Sequence, residues 1–122
     1  MADWRGKPVL ITFWASDCPA CIKEIPQLIN LYRRYAPRGL HMVAVAMAYD
    51  MPSHVVSLAK SMALPYPVAL DPLGENARAF GDVALTPTTL LFGPDGRLHQ
   101  RIVGDFDPAI LAQHIESLLA EN

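Results

Sequence analysis

Two cysteines, Cys18 and Cys21, are separated only by Pro19 and Ala20, and they form the one pair of reactive groups at a diagnostic spacing in the chain. At the start of a helix this spacing lets two sulfurs reach bonding distance, and the unpaired N–H groups and helix dipole favour an anion on the leading residue. The chemistry that suits is thiol-disulfide exchange, with Cys18 attacking a disulfide and Cys21 resolving the mixed disulfide. Lowering a thiol pKa from about 8.5 to about 7 raises the thiolate fraction at neutral pH from about 3% to about 50%, while a Brønsted slope near 0.5 makes each thiolate about sixfold less reactive. Attack gains only about threefold. The larger benefit of a stabilised Cys18 thiolate comes when it must leave as Cys21 attacks.

Other uses of the pair are weaker. Structural zinc takes four Cys or His ligands, and His41, His54, His99 and His114 are scattered along the chain rather than set as a second half-site. Covalent haem attachment wants His directly after the second cysteine, where this chain has Ile22. A purely structural disulfide, or two inert thiols, stays open. So does a binding module in which the two sulfurs hold Cu(I) as a metallochaperone, because thiolate is a soft ligand, although no His or Met stands beside the pair in sequence. Met42 and Met47 read as strand core. A peroxidase needs a peroxide pocket that this motif does not announce.

The elements that must position the pair follow from periodicity. Val9–Trp14 is a β-rich run expected as a buried strand, and a helix runs from Pro19 to about Arg34. Its apolar stripe is Ile22, Ile25, Leu28 or Ile29, and Tyr32, and Pro26 inside it predicts a kink. Pro37 and Gly39 end that helix, and residues 40–48 form the next strand. Asp50 or Ser53 caps a helix over residues 54–62, followed by an extended link at Pro65 to Pro67 and a short strand, Val68–Leu70. A turn at Asp71 to Gly74 precedes a short helix over residues 75–80. Strands over residues 88–92 and 97–103 flank the turn Gly93-Pro94-Asp95-Gly96, and Asp107 caps a last helix with Pro108 at its first position. That helix buries Ile110, Leu111, His114, Ile115, Leu118 and Leu119. Strands alternating with helices predict an α/β fold, with a mainly parallel central sheet covered on both faces and an antiparallel terminal hairpin.

At 122 residues and 13.4 kDa, the chain is expected to form one domain over residues 1–122, burying about two-thirds of its extended surface without a metal or disulfide staple. A net charge of −2 with no basic run gives no reason to expect nucleic acid or an anionic membrane as partner. The longest charge-free apolar stretch, residues 42–49, is far short of the roughly 18 residues of a spanning helix. Eleven prolines are nearly twice the usual share of about 5%.

Phe13-Trp14-Ala15-Ser16-Asp17-Cys18-Pro19-Ala20-Cys21 resembles the active-site segment of the thioredoxin superfamily, and Lys23-Glu24-Ile25-Pro26 resembles its TlpA/ResA-like branch of exported thiol-disulfide oxidoreductases. Asp3-Trp4-Arg5-Gly6-Lys7-Pro8 is similar to the lead-in of that branch, Thr86-Pro87-Thr88-Thr89 to its cis-proline loop, and Gly93 to Gly96 to its hairpin turn. The resemblance implies a thioredoxin-like fold, a central mixed sheet flanked by helices, with a helix-strand insertion at residues 53–70. It implies reduction of protein disulfides through the Cys18/Cys21 pair, with no metal or organic cofactor, an upstream electron donor and a periplasmic setting, with the cytoplasm as alternative. The clients it suggests belong to cytochrome c maturation or a copper site. A monomer is expected, and the family's export signal or membrane anchor has no counterpart before Asp3.

The same resemblance assigns further roles. A cis bond at Pro87 leaves the Thr86 backbone to pair with an extended substrate beside Cys18, and Pro19 and Ala20 flank the same contact. Trp14 is either an apolar wall of the site or core packing. Thioredoxin has a buried aspartate where this chain has Thr12, so Glu24 or water must take the proton that Cys21 loses, unless Glu24 is only a solvated helix charge. Tyr49 and Asp50 end a strand at the sheet edge where sites cluster, and either could touch a substrate.

Overall fold

The structure, a computed structural model, describes residues 6–120. Within the lead-in motif, Asp3, Trp4 and Arg5 lie outside these residues. Five strands and four helices follow in the order β1 (Val9–Trp14), α1 (Pro19–Tyr35), β2 (His41–Ala46), α2 (Pro52–Ser61), β3 (Val68–Leu70), α3 (Glu75–Ala79), β4 (Thr88–Phe92), β5 (Leu98–Val103) and α4 (Pro108–Ala120), with a 3₁₀ turn, Ala36–Arg38, after α1. The sheet order is β3-β2-β1-β4-β5. β2 is parallel to β1 and β3, whereas β4 is antiparallel to β1 and β5. The sheet is therefore evenly mixed rather than mainly parallel, because the hairpin inserts β4 beside the central strand instead of adding one strand at the rim.

β1 occupies the centre because all six of its residues are apolar or β-branched and can be buried on both faces. Its alternation splits the core. Leu10 and Trp14 pack with Leu28, Leu31 and Tyr35 of α1, Val55 of α2, and Leu111, Ile115 and Leu118 of α4. Val9, Ile11 and Phe13 face the other way, toward Ala77 of α3 and Val83. The insertion is α2 with β3, and β3 adds a parallel edge strand on β2.

Several local expectations shift by a residue or a face. α1 runs through Pro26 as one helix, so the kink expected there does not interrupt it. Its buried stripe is Cys21, Glu24, Ile25, Leu28, Leu31 and Tyr35, rotated from the predicted one, with Ile22, Ile29 and Tyr32 only partly covered. β2 is shorter than residues 40–48, because the chain turns at Met47, whose N–H donates to the Trp14 carbonyl. α2 begins at Pro52 with Met51 before it and no side-chain cap, so neither Asp50 nor Ser53 caps it. In α4 the Asp107 carboxylate does accept from the N–H groups of Ala109 and Ile110. Ile110, however, is 53% exposed. His114 lies at the boundary, 3.3 Å from His99 nitrogen to nitrogen, so two of the scattered histidines meet across β5 and α4.

Asp71 illustrates how a buried carboxyl group is satisfied. It is 4% exposed and accepts hydrogen bonds from the Asn76 N–H, the Asn76 side-chain amide and the Ala77 N–H, which caps α3 from outside the helix. Gly74 permits the approach by adopting φ of +68° immediately before α3. Asp71→Ala is expected to cost about 2 kcal/mol by orphaning those donors, read as a lower urea midpoint with an unchanged slope.

Candidate active site

The site grows from the carboxyl end of β1. After Trp14 the chain turns through Ala15 to Asp17, closing with a bond from the Cys18 N–H to the Ala15 carbonyl, and enters α1. Cys18 is the N-cap residue and Pro19 holds the first helical position, where its missing N–H costs nothing. The Cys18 sulfur accepts the Cys21 N–H at 3.2 Å. The pair is closed as a disulfide with Cα atoms 5.2 Å apart. Cys18 is partly exposed, Cys21 only 3% so, and Pro19 and Ala20 lie toward solvent beside Cys18. The outer sulfur can meet a partner, and the inner one cannot without the outer.

Two neighbouring segments frame this helix start. Asp50, on the β2–α2 loop, accepts the Ser16 N–H at 2.6 Å and the Ser16 hydroxyl at 2.7 Å, which fastens the turn before Cys18. Asp50 is thus a clamp, a role that nothing local in the sequence signalled because its partner is distant in the chain. On the other side, Phe13 pairs with Thr88, so the cis Thr86–Pro87 bond lies beside the end of β1. The Pro87 carbonyl accepts from Gly104, while the Thr86 backbone forms no hydrogen bond among the described residues. Tyr49, Met51 and Leu85, on loops at this end of the sheet, are more than half exposed.

Beneath the cysteines the surroundings change. Trp14 is 4% exposed and faces inward, so the packing alternative describes it and little of its surface is open to a substrate. Glu24 is 3% exposed, which removes the solvated-charge alternative. Burial is the main cause that pushes its carboxyl up from 4.5 to about 7; the nearby Asp105 charge adds to the shift, and the Phe106 backbone opposes it. Tyr66, from the link between α2 and β3, is pushed up to about 12 by burial and by the Glu24 charge, so it stays protonated at neutral pH. Thr12, Trp14, Cys21, Glu24, Leu64 and Tyr66 all line one small cavity. Glu24 on the helix thus shares this cavity with Thr12 on β1.

No group of three or more His, Cys, Asp or Glu side chains is placed to hold a metal among the described residues. None of their helices is long and apolar enough to cross a membrane.

The family model described as Redoxin matches residues 1–117. The thiol-disulfide oxidoreductase ResA of Bacillus thuringiensis subsp. konkukian is 31% identical over 118 residues, covering 97% of this chain and 67% of that protein. The ResA of Bacillus subtilis is 30% identical, over 94% of this chain and 63% of its own length. A thiol:disulfide interchange protein of the thioredoxin family from Chlorobium tepidum superposes with a TM-score of 0.87 at 27% identity, covering 97% of this chain and 83% of that one.

Proposed function

The chain belongs to the Redoxin family and is a thiol-disulfide oxidoreductase, and from that premise we propose that it works as a reductant of disulfides in client proteins. The observation that carries this reading is the asymmetry of the pair, with Cys18 capping α1 at the surface and Cys21 buried behind it next to Glu24. In the reduced protein the N–H groups of the first turn stabilise a Cys18 thiolate. That thiolate attacks one client sulfur, and the other client sulfur departs as a thiolate that takes a proton from solvent. Cys21 then loses its proton to Glu24 and attacks Cys18, forming the internal disulfide as the client's second sulfur leaves. Two electrons pass to the client, and an upstream thiol donor restores the dithiol.

The unpaired Thr86 backbone beside Pro87 supports a client bound as an extended segment, with Pro19 and Ala20 against it. The exposed apolar side chains of Tyr49, Met51 and Leu85 favour a polypeptide over a small thiol. The resemblance to exported oxidoreductases supports a periplasmic setting and a client such as an apocytochrome c. Equilibration against glutathione tests the direction. A potential on the order of −270 mV, as in thioredoxin, is expected, and one near −120 mV would make the protein an oxidant.

A further inference from the structure

His99 and His114, fifteen residues apart in the chain, bring Nε2 of the first to 3.3 Å from Nδ1 of the second, with their ring planes inclined at 65°. Two separate features of the fold produce this meeting. Gln100 pairs with Leu91 and Leu98 with Phe92, so His99 is the extra residue of a β-bulge. Strict alternation along β5 would send it to the face of Arg101, whose guanidinium donates to the Phe80 and Gly81 carbonyls after α3. The bulge turns it toward α4 instead. On α4, His114 lies among Leu111, Ile115 and Leu118, whose burial holds the helix against the sheet. His99 is exposed and His114 partly so. Two imidazoles are thus presented to solvent at a fixed separation by two packed elements.

A gap of this width suits a metal ion as well as a proton. Two imidazole nitrogens, each about 2.0 to 2.1 Å from zinc and set at the tetrahedral angle, stand about 3.3 to 3.4 Å from each other. At the same bond lengths, adjacent nitrogens of a square-planar or octahedral ion stand only about 2.8 to 3.0 Å apart. The observed 3.3 Å therefore matches a tetrahedral ion. Imidazole also disfavours calcium and magnesium, which take oxygen ligands. We propose that His99 Nε2 and His114 Nδ1 form a binding site for a zinc ion, with water in the other two positions. Those positions fall to water because Ile110, Leu111, Ser117 and Leu118, one turn from His114, carry no imidazole, thiol or carboxylate, and Glu116 is committed to Tyr35 and Arg38. As zinc enters, the ring that donates within the pair moves its proton to its far nitrogen, so that both facing nitrogens offer a lone pair. Structural zinc has all four positions closed by protein; two open ones make this a site that loads and releases its ion. It is also remote from the cysteines. Leu98 pairs with Phe92 and Phe92 with Val9, which puts His99 near the opposite end of β1 from Trp14, roughly 15 to 20 Å along the sheet.

Zinc titration in competition with a chromophoric chelator tests the site, on protein whose Cys18–Cys21 disulfide is closed so that no thiol competes. His99→Ala and His114→Ala are each expected to weaken binding by at least about tenfold, the low end of what groups that merely orient a metal ligand contribute. His54→Ala is expected to leave it unchanged. Zinc at a hundredfold excess over its Kd is expected to raise the folding equilibrium constant of the parent about a hundredfold, read as a higher urea midpoint, and to leave the double variant where it was. Nitrogen-15 NMR of the unmodified protein needs no variant: zinc is expected to shift His99 Nε2 and His114 Nδ1. No zinc binding by the parent, equal binding by the double variant, or shifts confined to other histidines overturns the site. Disulfide reduction by both variants is expected to match the parent's, so the zinc site and the exchange mechanism stand or fall separately.

Discussion

Cys18→Ser is expected to abolish disulfide exchange, by about a thousandfold or more, while Cys21→Ser is expected to stop the cycle one bond later with the client still attached. The difference follows from access. Cys18 is partly open at the cap of α1, and Cys21 is 3% exposed, so only the first sulfur can reach an incoming disulfide. With Cys21 gone, nothing inside the protein can attack the Cys18–client bond, and the mixed disulfide accumulates. Mass spectrometry after acid quench reads both outcomes. A mixed disulfide that builds up in Cys18→Ser, and not in Cys21→Ser, would reverse the two roles.

Glu24→Gln is expected to change stability and catalysis in opposite directions. The carboxyl binds its proton more tightly in the folded protein, at about 7 against 4.5 when free, chiefly because burial penalises the charge. A raised acid pKa means that stability is greatest below about 4.5, falls as pH rises, and reaches its lower plateau above about 7. The difference is worth about 3 kcal/mol. Glutamine carries no charge to bury, so the variant should be more stable than the parent by about 2 to 3 kcal/mol at pH 8 and nearly equal at pH 4. Urea unfolding at several pH values measures this. Losing the proton acceptor should slow resolution by about a hundredfold or more. Equal pH slopes in parent and variant would show that Glu24 is not the buried acid.

The residues in covalent contact with the chemistry were legible because their signal is local. Cys18 and Cys21, Pro19 at the first helical position and Thr86–Pro87 before a strand are each read within a few positions, and the strand and helix order follows from periods of two and 3.6. Glu24 shows where this fails. Ile22, Ile25, Ile29 and Tyr32 make an apolar stripe as regular as the one that is buried, and that stripe leaves Glu24 outside it. The helix turns instead to bury Cys21, Leu28, Leu31 and Tyr35, and Glu24, three residues after Cys21, is carried in with them. Asp50 was legible as a polar residue at a strand end but not as the clamp on Ser16, since that pairing exists only once β2 lies beside β1. The mixed sheet was implied by the family resemblance but not by periodicity, for a similar reason. Nothing between β3 and β4 says that the hairpin returns to the centre.

Leu64 and Tyr66 belong to the link between α2 and β3, yet they form part of the wall around Glu24. This makes the inserted segment dielectric insulation for the reaction, separating a helix carboxylate from bulk water. A shortened protein lacking that helix and strand could keep its cysteine pair and cis-proline loop intact. Its Glu24 would be hydrated, fully ionised at neutral pH and a poor base, so a part of the chain that carries neither cysteine would have switched off the proton acceptor proposed for the second half of the cycle.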